Sequence, residues 1–233
     1  MTPRRHVLVV GDVGDDDTGF VGQRLREHHH ATSARVDRDR LGDWDDRQRA
    51  DLVLLLGSGR SGHASEHADV VERESRYVRG ALAAGVPVLG ICYGGQLLAH
   101  ALGGSVGPSP SPEIGLFDVD SRDPVLCPSG PWPQMHSDAF VAPPTSRVLG
   151  SSPGGCQGFA DDAHGARALG WQFHPEVTPH EFGTWLDKLG DWAREHGIDD
   201  PDALRDTMWA HEDDLRARAY ALVDDALDHL WGR

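Results

Sequence analysis

Lysine is almost missing from this 233-residue chain: Lys188 is the only one, and arginine carries the rest of the positive charge. A Walker-type phosphate loop needs a lysine before Ser or Thr. Lys188 sits instead in Leu186-Asp187-Lys188-Leu189, so no such ATP site is expected, and no room for a further synthetase domain. Positive charge is scarce altogether, with 22 Lys and Arg against 37 Asp and Glu and a formal net charge of -15. Such a chain is repelled by phosphate backbones and anionic lipid, which argues against nucleic acid and membrane surfaces as partners. Cysteine is also sparse: Cys92, Cys127 and Cys156 are odd in number and show no paired spacing. That argues against a disulfide framework and for a reducing, cytoplasmic setting. No apolar run approaches the roughly 20 residues of a membrane helix, and Val7–Val10 is too short for a signal-peptide core.

What is present is an alternation. His6-Val7-Leu8-Val9-Val10 reads as a buried parallel strand ended by Gly11. A helix over 18–29 follows, with Thr18 as N-cap and Phe20, Val21 and Leu25 inward. The run 51–56 is a second strand ending at Gly57-Ser58-Gly59, and 67–84 is a helix burying Val70, Val71, Val78 and Leu82. The third strand, 86–91, feeds directly into Cys92 and a short helix over 95–102. Strand-helix alternation of this kind predicts an α/β fold, a doubly wound, mostly parallel, flavodoxin-like sheet flanked by helices. Reactive groups then sit beyond the carboxyl ends of the strands, where Gly57-Ser58-Gly59 and Cys92 both fall.

The Pro-, Gly- and Ser-rich middle, 105–155, reads as antiparallel strands and loops. Beyond Pro179 apolar residues recur at helical spacing, including Leu204, Met208, Leu215, Leu222 and Leu230. The expected division is a main domain over 1–186 and a helical C-terminal extension over 187–233 packed on it.

Gly90-Ile91-Cys92-Tyr93-Gly94 has the spacing of a nucleophile elbow with cysteine in place of serine. Small glycines let the backbones approach, and a helix N-terminus favours the reactive thiolate. Taken alone, the pentapeptide fits a buried structural cysteine as well. Trp171-Gln172-Phe173-His174-Pro175-Glu176 adds a second signal: a strand end delivers a histidine, and a carboxylate two residues on can orient it. Alone this too is no more than a loop histidine with a solvated glutamate; the two together, in this order, are a poor match to chance.

Other features carry less. His28-His29-His30 lacks spaced ligands and reads as a solvated helix end, not a metal site. Gly11-Asp12-Val13-Gly14 lacks the third glycine of a dinucleotide loop. The acidic runs 15–17 and 43–46 read as solvated loops.

Gly90-Ile91-Cys92-Tyr93-Gly94-Gly95-Gln96 together with Gln172-Phe173-His174-Pro175-Glu176 resembles the class I glutamine amidotransferase family. Glu113-Ile114-Gly115 and Met135-His136-Ser137-Asp138-Ala139-Phe140 resemble segments of its stand-alone, GMP-synthase-like members and of the related γ-glutamyl peptidases. The likeness spans 7–182. It implies a catalytic triad of Cys92, His174 and Glu176 acting through a γ-glutamyl thioester. It implies an oxyanion hole from the N–H of Tyr93 and from Ser58 and Gly59, where relatives often carry Gly-Gly-Pro; Gly59 in place of Pro is expected to loosen that loop. It implies a glutamyl subsite at Gln96, His136, Ser137 and Asp138, with no cofactor and no metal.

Three functions remain open on the sequence. One is a glutaminase passing ammonia to a separate synthase. Another is a free-standing hydrolase of γ-glutamyl amides. The third is a non-catalytic subunit that kept the fold, against which the intact triad argues.

Overall fold

The computed structural model describes residues 4–14, 17–45 and 49–232; Asp15, Asp16 and Asp46 of the acidic runs lie outside them. The chain runs β1 (His6–Gly11), α1 (Gly19–Glu27), β2 (Ala31–Asp37), β3 (Leu52–Leu55), α2 (Ala68–Ala83), β4 (Val88–Ile91) and α3 (Tyr93–Ala101). It continues as β5 (Ser105–Phe117), β6 (Asp120–Ser121), β7 (Trp132–Val141), β8 (Arg147–Ser152), β9 (Gly155–Asp161) and β10 (Ala168–Trp171). Three helices close it: α4 (Pro179–Glu195), α5 (Pro201–Ala210) and α6 (Glu212–Trp231).

The main sheet has the order β2-β1-β3-β4-β10-β9-β8-β6. From β2 to β10 the neighbours are parallel, and β9, β8 and β6 continue it antiparallel. β5 and β7 form a separate antiparallel pair. The apolar runs of the central strands are continuous because both faces are buried. Side chains alternate across the sheet. Val7, Val9, Leu52, Leu54, Leu89 and Ile91 pack under α1 and α6, while Leu8, Val10, Val53, Leu55 and Val88 pack under α2 and α3.

Three expectations shift. β2 was not foreseen, since Ala31-Thr32-Ser33-Ala34-Arg35-Val36-Asp37 carries no apolar run; it is an edge strand paired with β1 alone. The helix after Cys92 begins two residues earlier than its spacing suggested, at Tyr93, because Cys92 is itself the N-cap residue. Trp44, read as part of a solvated loop, packs edge-on against Tyr77 at 5.3 Å.

The C-terminal helices pack on two surfaces. Leu222, Val223, Ala226, Leu227 and Leu230 of α6 join the sheet core with Val7, Val9, Leu52 and Leu54. Phe182 and Leu186 of α4, Met208 of α5 and Leu215 of α6 cover Ile114 and Met135 of the β5–β7 pair. The Arg24 guanidinium of α1 grips the Asp224 carboxylate of α6 through both oxygens, at 2.8 and 2.6 Å. The geometry that matters is at the carboxyl edge: β2, β1, β3, β4 and β10, adjacent in that order, lead into Arg38, Asp12, Gly57, Cys92 and His174.

Leu222 is 1% exposed within that shared core. Leu222→Ala is expected to destabilise the whole molecule by about 2–5 kcal/mol, read as a lower urea midpoint for the main unfolding transition. An unchanged main transition would mean that α6 does not share the core.

Candidate active site

Cys92 sits where β4 turns into α3, with φ 52° and ψ -113°. Its N–H donates to the Trp171 carbonyl at 2.8 Å, and its own carbonyl accepts from Gln96 N at 2.9 Å. The turn closes because Gly94 lies directly against the Leu55 backbone, where a Cβ would collide with the Leu55 carbonyl oxygen. The thiol thus stands at the positive end of α3.

His174 and Glu176 follow β10. His174 Nδ1 and Glu176 Oε1 are 2.8 Å apart and both residues are buried. Burial by itself would lower the His174 pKa. The charges of Glu176 and Cys92 outweigh it, and the imidazole is held well above its ordinary value. Among the described residues His174 Nε2 has no partner in hydrogen-bond geometry, so its coupling to Cys92 acts across a looser contact. Looseness of this kind is common before substrate binds. The Trp185 ring of α4 packs edge-on against His174 at 4.8 Å.

The loop after β3 completes the floor. A Cβ built on Gly57 would lie 3.3 Å from His174 Cε1 and 3.7 Å from Cys92 Cβ. Gly57, the first residue of the Gly57-Ser58-Gly59 loop, therefore leaves the space beside both side chains that any other residue would fill. Ser58 Oγ donates to Asp12 Oδ2 at 2.6 Å and accepts from Arg60 N at 3.2 Å. Arg38 Nη2 donates to the Leu56 carbonyl at 2.8 Å and to that of Gly57 at 3.4 Å. The looseness expected from Gly59 is thus countered by side chains that directly follow β1 and β2.

The expected glutamyl subsite forms the opposite wall. Gln96 is buried, and its Nε2 donates to the Asp138 carbonyl at 3.1 Å and to Gln172 Oε1 at 3.3 Å. Gln172 Nε2 in turn donates to Cys92 Sγ at 3.7 Å. Glu113 and His136 are cross-strand partners on β5 and β7. His136 Nε2 meets Glu113 Oε2 at 3.1 Å, and Nδ1 meets the Asp138 carbonyl at 3.0 Å. Glu113 also accepts from Ser152, Gly154 and Gln157. Burial alone would raise its pKa, but these donors, His136 first, hold it below the usual carboxylate range. Asp138 Oδ2 accepts from Ser61 Oγ at 2.7 Å.

One cleft of about 280 Å³ is lined by Cys92, His174, Gly57–Gly59, Tyr93, Gln96 and His136–Asp138. Trp185, Lys188 and Trp192 of α4 also line it. Sequence reasoning named the Gly57-Ser58-Gly59 loop but missed Gln172, Arg38 and the α4 rim. Gln172 was legible as part of the His174 motif; the others had no local signal. Two of the discounted features have structural roles: Asp12 holds Ser58, and the histidine run packs on α6, with His28 Nε2 2.7 Å from Asp224 and His30 edge-on to Trp231 at 4.8 Å. No His, Cys, Asp and Glu cluster that could hold a metal ion occurs among the described residues, and no helix there is long and apolar enough to cross a membrane.

The family model for glutamine amidotransferase class-I matches residues 10–188. A protein of Aeropyrum pernix named GMP synthase (glutamine-hydrolyzing) is 35% identical over 198 residues, covering 79% of this chain and 36% of that protein. One of the same name from Mycobacterium tuberculosis is 36% identical over 185 residues, covering 77% of this chain and 34% of that one. The chain thus spans about a third of the length of these curated relatives. Among solved structures, a glutamine amidotransferase from Thermotoga maritima superposes with a TM-score of 0.82 at 26% identity, covering 98% of both chains. One from Methylobacillus flagellatus shares the fold, with a TM-score of 0.80 at 20% identity over 98% of this chain and 96% of that one. The span of the family match and the identity to these relatives show that the chain belongs to the class I glutamine amidotransferases.

Proposed function

We propose that the chain hydrolyses the side-chain amide of glutamine through Cys92, His174 and Glu176 and passes the ammonia to a separate synthase. The observation that carries this reading is the convergence of Cys92, the paired His174 and Glu176, and Gly57 at adjacent strand ends in one cleft. The Cys92 thiolate attacks the amide carbon, and the C=O electron pair moves to oxygen. Backbone N–H groups of Tyr93 and of the Gly57–Gly59 loop receive that oxyanion. The carbonyl re-forms, the C–N bond breaks, and the leaving nitrogen takes a proton from His174. Water then attacks the thioester, giving its proton to His174; the C–S bond breaks and glutamate leaves. Gln96, with the His136–Asp138 strand, holds the glutamyl group. Relatives named for GMP synthesis support a nucleotide synthase as the class of ammonia acceptor.

A second reading rests on the cleft's α4 wall. A leaving amine protonated by His174 would lie beside Trp185, in a cleft that Trp192 and Lys188 also line. That room suits a γ-glutamyl amide bulkier than glutamine. Release of ammonia from glutamine, measured against amine release from a γ-glutamyl amide panel, separates the two. Fast panel turnover with negligible glutaminase activity would reverse the order. On the first reading glutamine turnover rises when the synthase is added, and a rate indifferent to it counts against ammonia transfer.

A glutamine-mimicking electrophile is expected to label Cys92 and spare the other cysteines. Burial pushes the Cys127 thiol up to about 12 and that of Cys156 up to about 11, so both stay protonated and unreactive near neutral pH. Labelling of either, with Cys92 untouched, would remove Cys92 from the chemistry.

Glu176→Gln is expected to lower kcat by about 10²–10⁴-fold. The Glu176 charge raises the His174 pKa, so its loss brings that pKa down. The imidazolium that protonates the leaving nitrogen then disappears at lower pH, and the alkaline limb of the kcat profile moves to lower pH. The same linkage gives the wild type stability that is full below pH about 6.5 and fades as pH rises through the raised value. An alkaline limb that stays in place would contradict the pairing.

A further inference from the structure

Arg38 directly follows β2 and belongs to neither sequence motif, yet its side chain is wholly buried. Its Nη2 donates to the carbonyls of Leu56 and Gly57. Its Nε lies 3.3 Å from Asp12 Oδ1 and its Nη1 3.7 Å from Glu74 Oε1. The guanidinium lies over the Tyr93 ring at 4.7 Å. Tyr93 OH donates to Glu74 Oε2 at 2.8 Å, and Glu74 is also fully buried. Asp12 holds Ser58 through its other oxygen and meets Arg60 Nη2 at 3.7 Å. One cation therefore touches both segments that would supply oxyanion donors, the 56–58 loop and the residue after Cys92.

Stability does not account for this cluster. Buried ion pairs seldom exceed an apolar replacement in stability unless their geometry is excellent and their remaining atoms are bonded. Here Arg38 Nε and Nη1, Asp12 Oδ1 and Glu74 Oε1 lack any hydrogen bond among the described residues and meet only as longer ion pairs. Burial drives the Glu74 pKa up against the pull of Arg38. What the cluster does supply is orientation. In a trans peptide the C=O and the following N–H point in opposite directions. With the Gly57 carbonyl accepting from Arg38, the Ser58 N–H points away from the guanidinium, in a loop segment that lines the cleft.

We propose that Arg38, braced by Asp12 and Glu74, is a positioning residue that sets the Gly57–Ser58 peptide and the Tyr93 backbone as one preformed oxyanion hole. It touches no reacting atom and acts through the two backbone segments it holds. The inference rests on the proposed Cys92 chemistry, which its test must separate out. Hole alignment should govern steps that create an oxyanion and leave alkylation of the Cys92 thiolate alone, since alkylation creates none.

The test compares the wild type with Arg38→Met and Arg38→Lys. The Met variant removes the charge and every donor; the Lys variant keeps the charge but loses the planar stack and the fork. For both, kcat for glutamine is expected to fall, by about 100- to 1000-fold in the Met variant, with KM within a few-fold. Alkylation of Cys92 by iodoacetamide should keep its wild-type rate. A crystal structure of either variant should show the Gly57 carbonyl rotated from its wild-type direction. Unchanged kcat in folded variants, or an unmoved Gly57 carbonyl in their crystals, would overturn the inference. Equal losses in kcat and alkylation would overturn it too, by making Arg38 a general structural prop. A wild type that turns over no amide would defeat the Cys92 chemistry instead, and the Gly57 carbonyl in the variant crystals still decides whether Arg38 orients that peptide. If the Met variant does not fold, the Lys variant carries both readouts.

Discussion

Cys92 is held in a backbone conformation that an L-residue adopts only when its surroundings compel it, with φ at 52°. Such a residue costs of order 1–3 kcal/mol and persists where neighbouring structure over-determines it. Here the compulsion is complete: β10 bonds its N–H, α3 bonds its carbonyl, and Gly94 lets the turn press against β3. The rest of the site depends on that turn. It lifts the thiol out of the sheet at the positive end of α3, beside the two strand ends that bring Gly57 and His174. A parallel sheet makes this economical, because neighbouring strands finish at the same edge and the loops beyond them meet without any long excursion of the chain.

Around the turn the protein buries ionisable groups close together, though the chain as a whole is short of cations; the Glu113–His136 pair lies on the far wall, and two clusters flank Gly57. His174 and Glu176 form one pair, and Arg38 with Asp12 and Glu74 forms the other. Gly57 lies between them: a side chain there would meet His174, and its carbonyl accepts from Arg38. On the proposed reading the first pair moves protons and the second fixes dipoles. The two tasks ask for different chemistry: an imidazole whose pKa can be raised, and a guanidinium that stays charged and presents a rigid fork of donors.

Much of this was legible in the sequence. The central strands show as continuous β-branched and leucine runs because both faces of a parallel sheet are covered. The elbow and the His174 motif show because backbone approach and imidazole orientation demand particular residues at fixed spacing. β2 was not legible, since an edge strand needs no apolar run. Arg38 was not legible for the same reason that it matters: its partners follow β1 and β3 or sit on α2 and α3, and no local pattern links them. Trp185 carried helical spacing but no sign that α4 would lay it on His174. The pairing of Glu113 with His136 was present as two separate motifs, and only the β5–β7 register joins them.

The central claim is that Cys92 carries the glutamyl group during turnover. The most direct measurement is acid quenching of the chain while it turns over glutamine, followed by peptide mass spectrometry. The account predicts a glutamyl acyl group on the peptide containing Cys92, absent from those containing Cys127 and Cys156, and absent when Glu is supplied in place of Gln. Glutamine consumed at the full rate with no acyl group on Cys92, or with one on another residue, would contradict it.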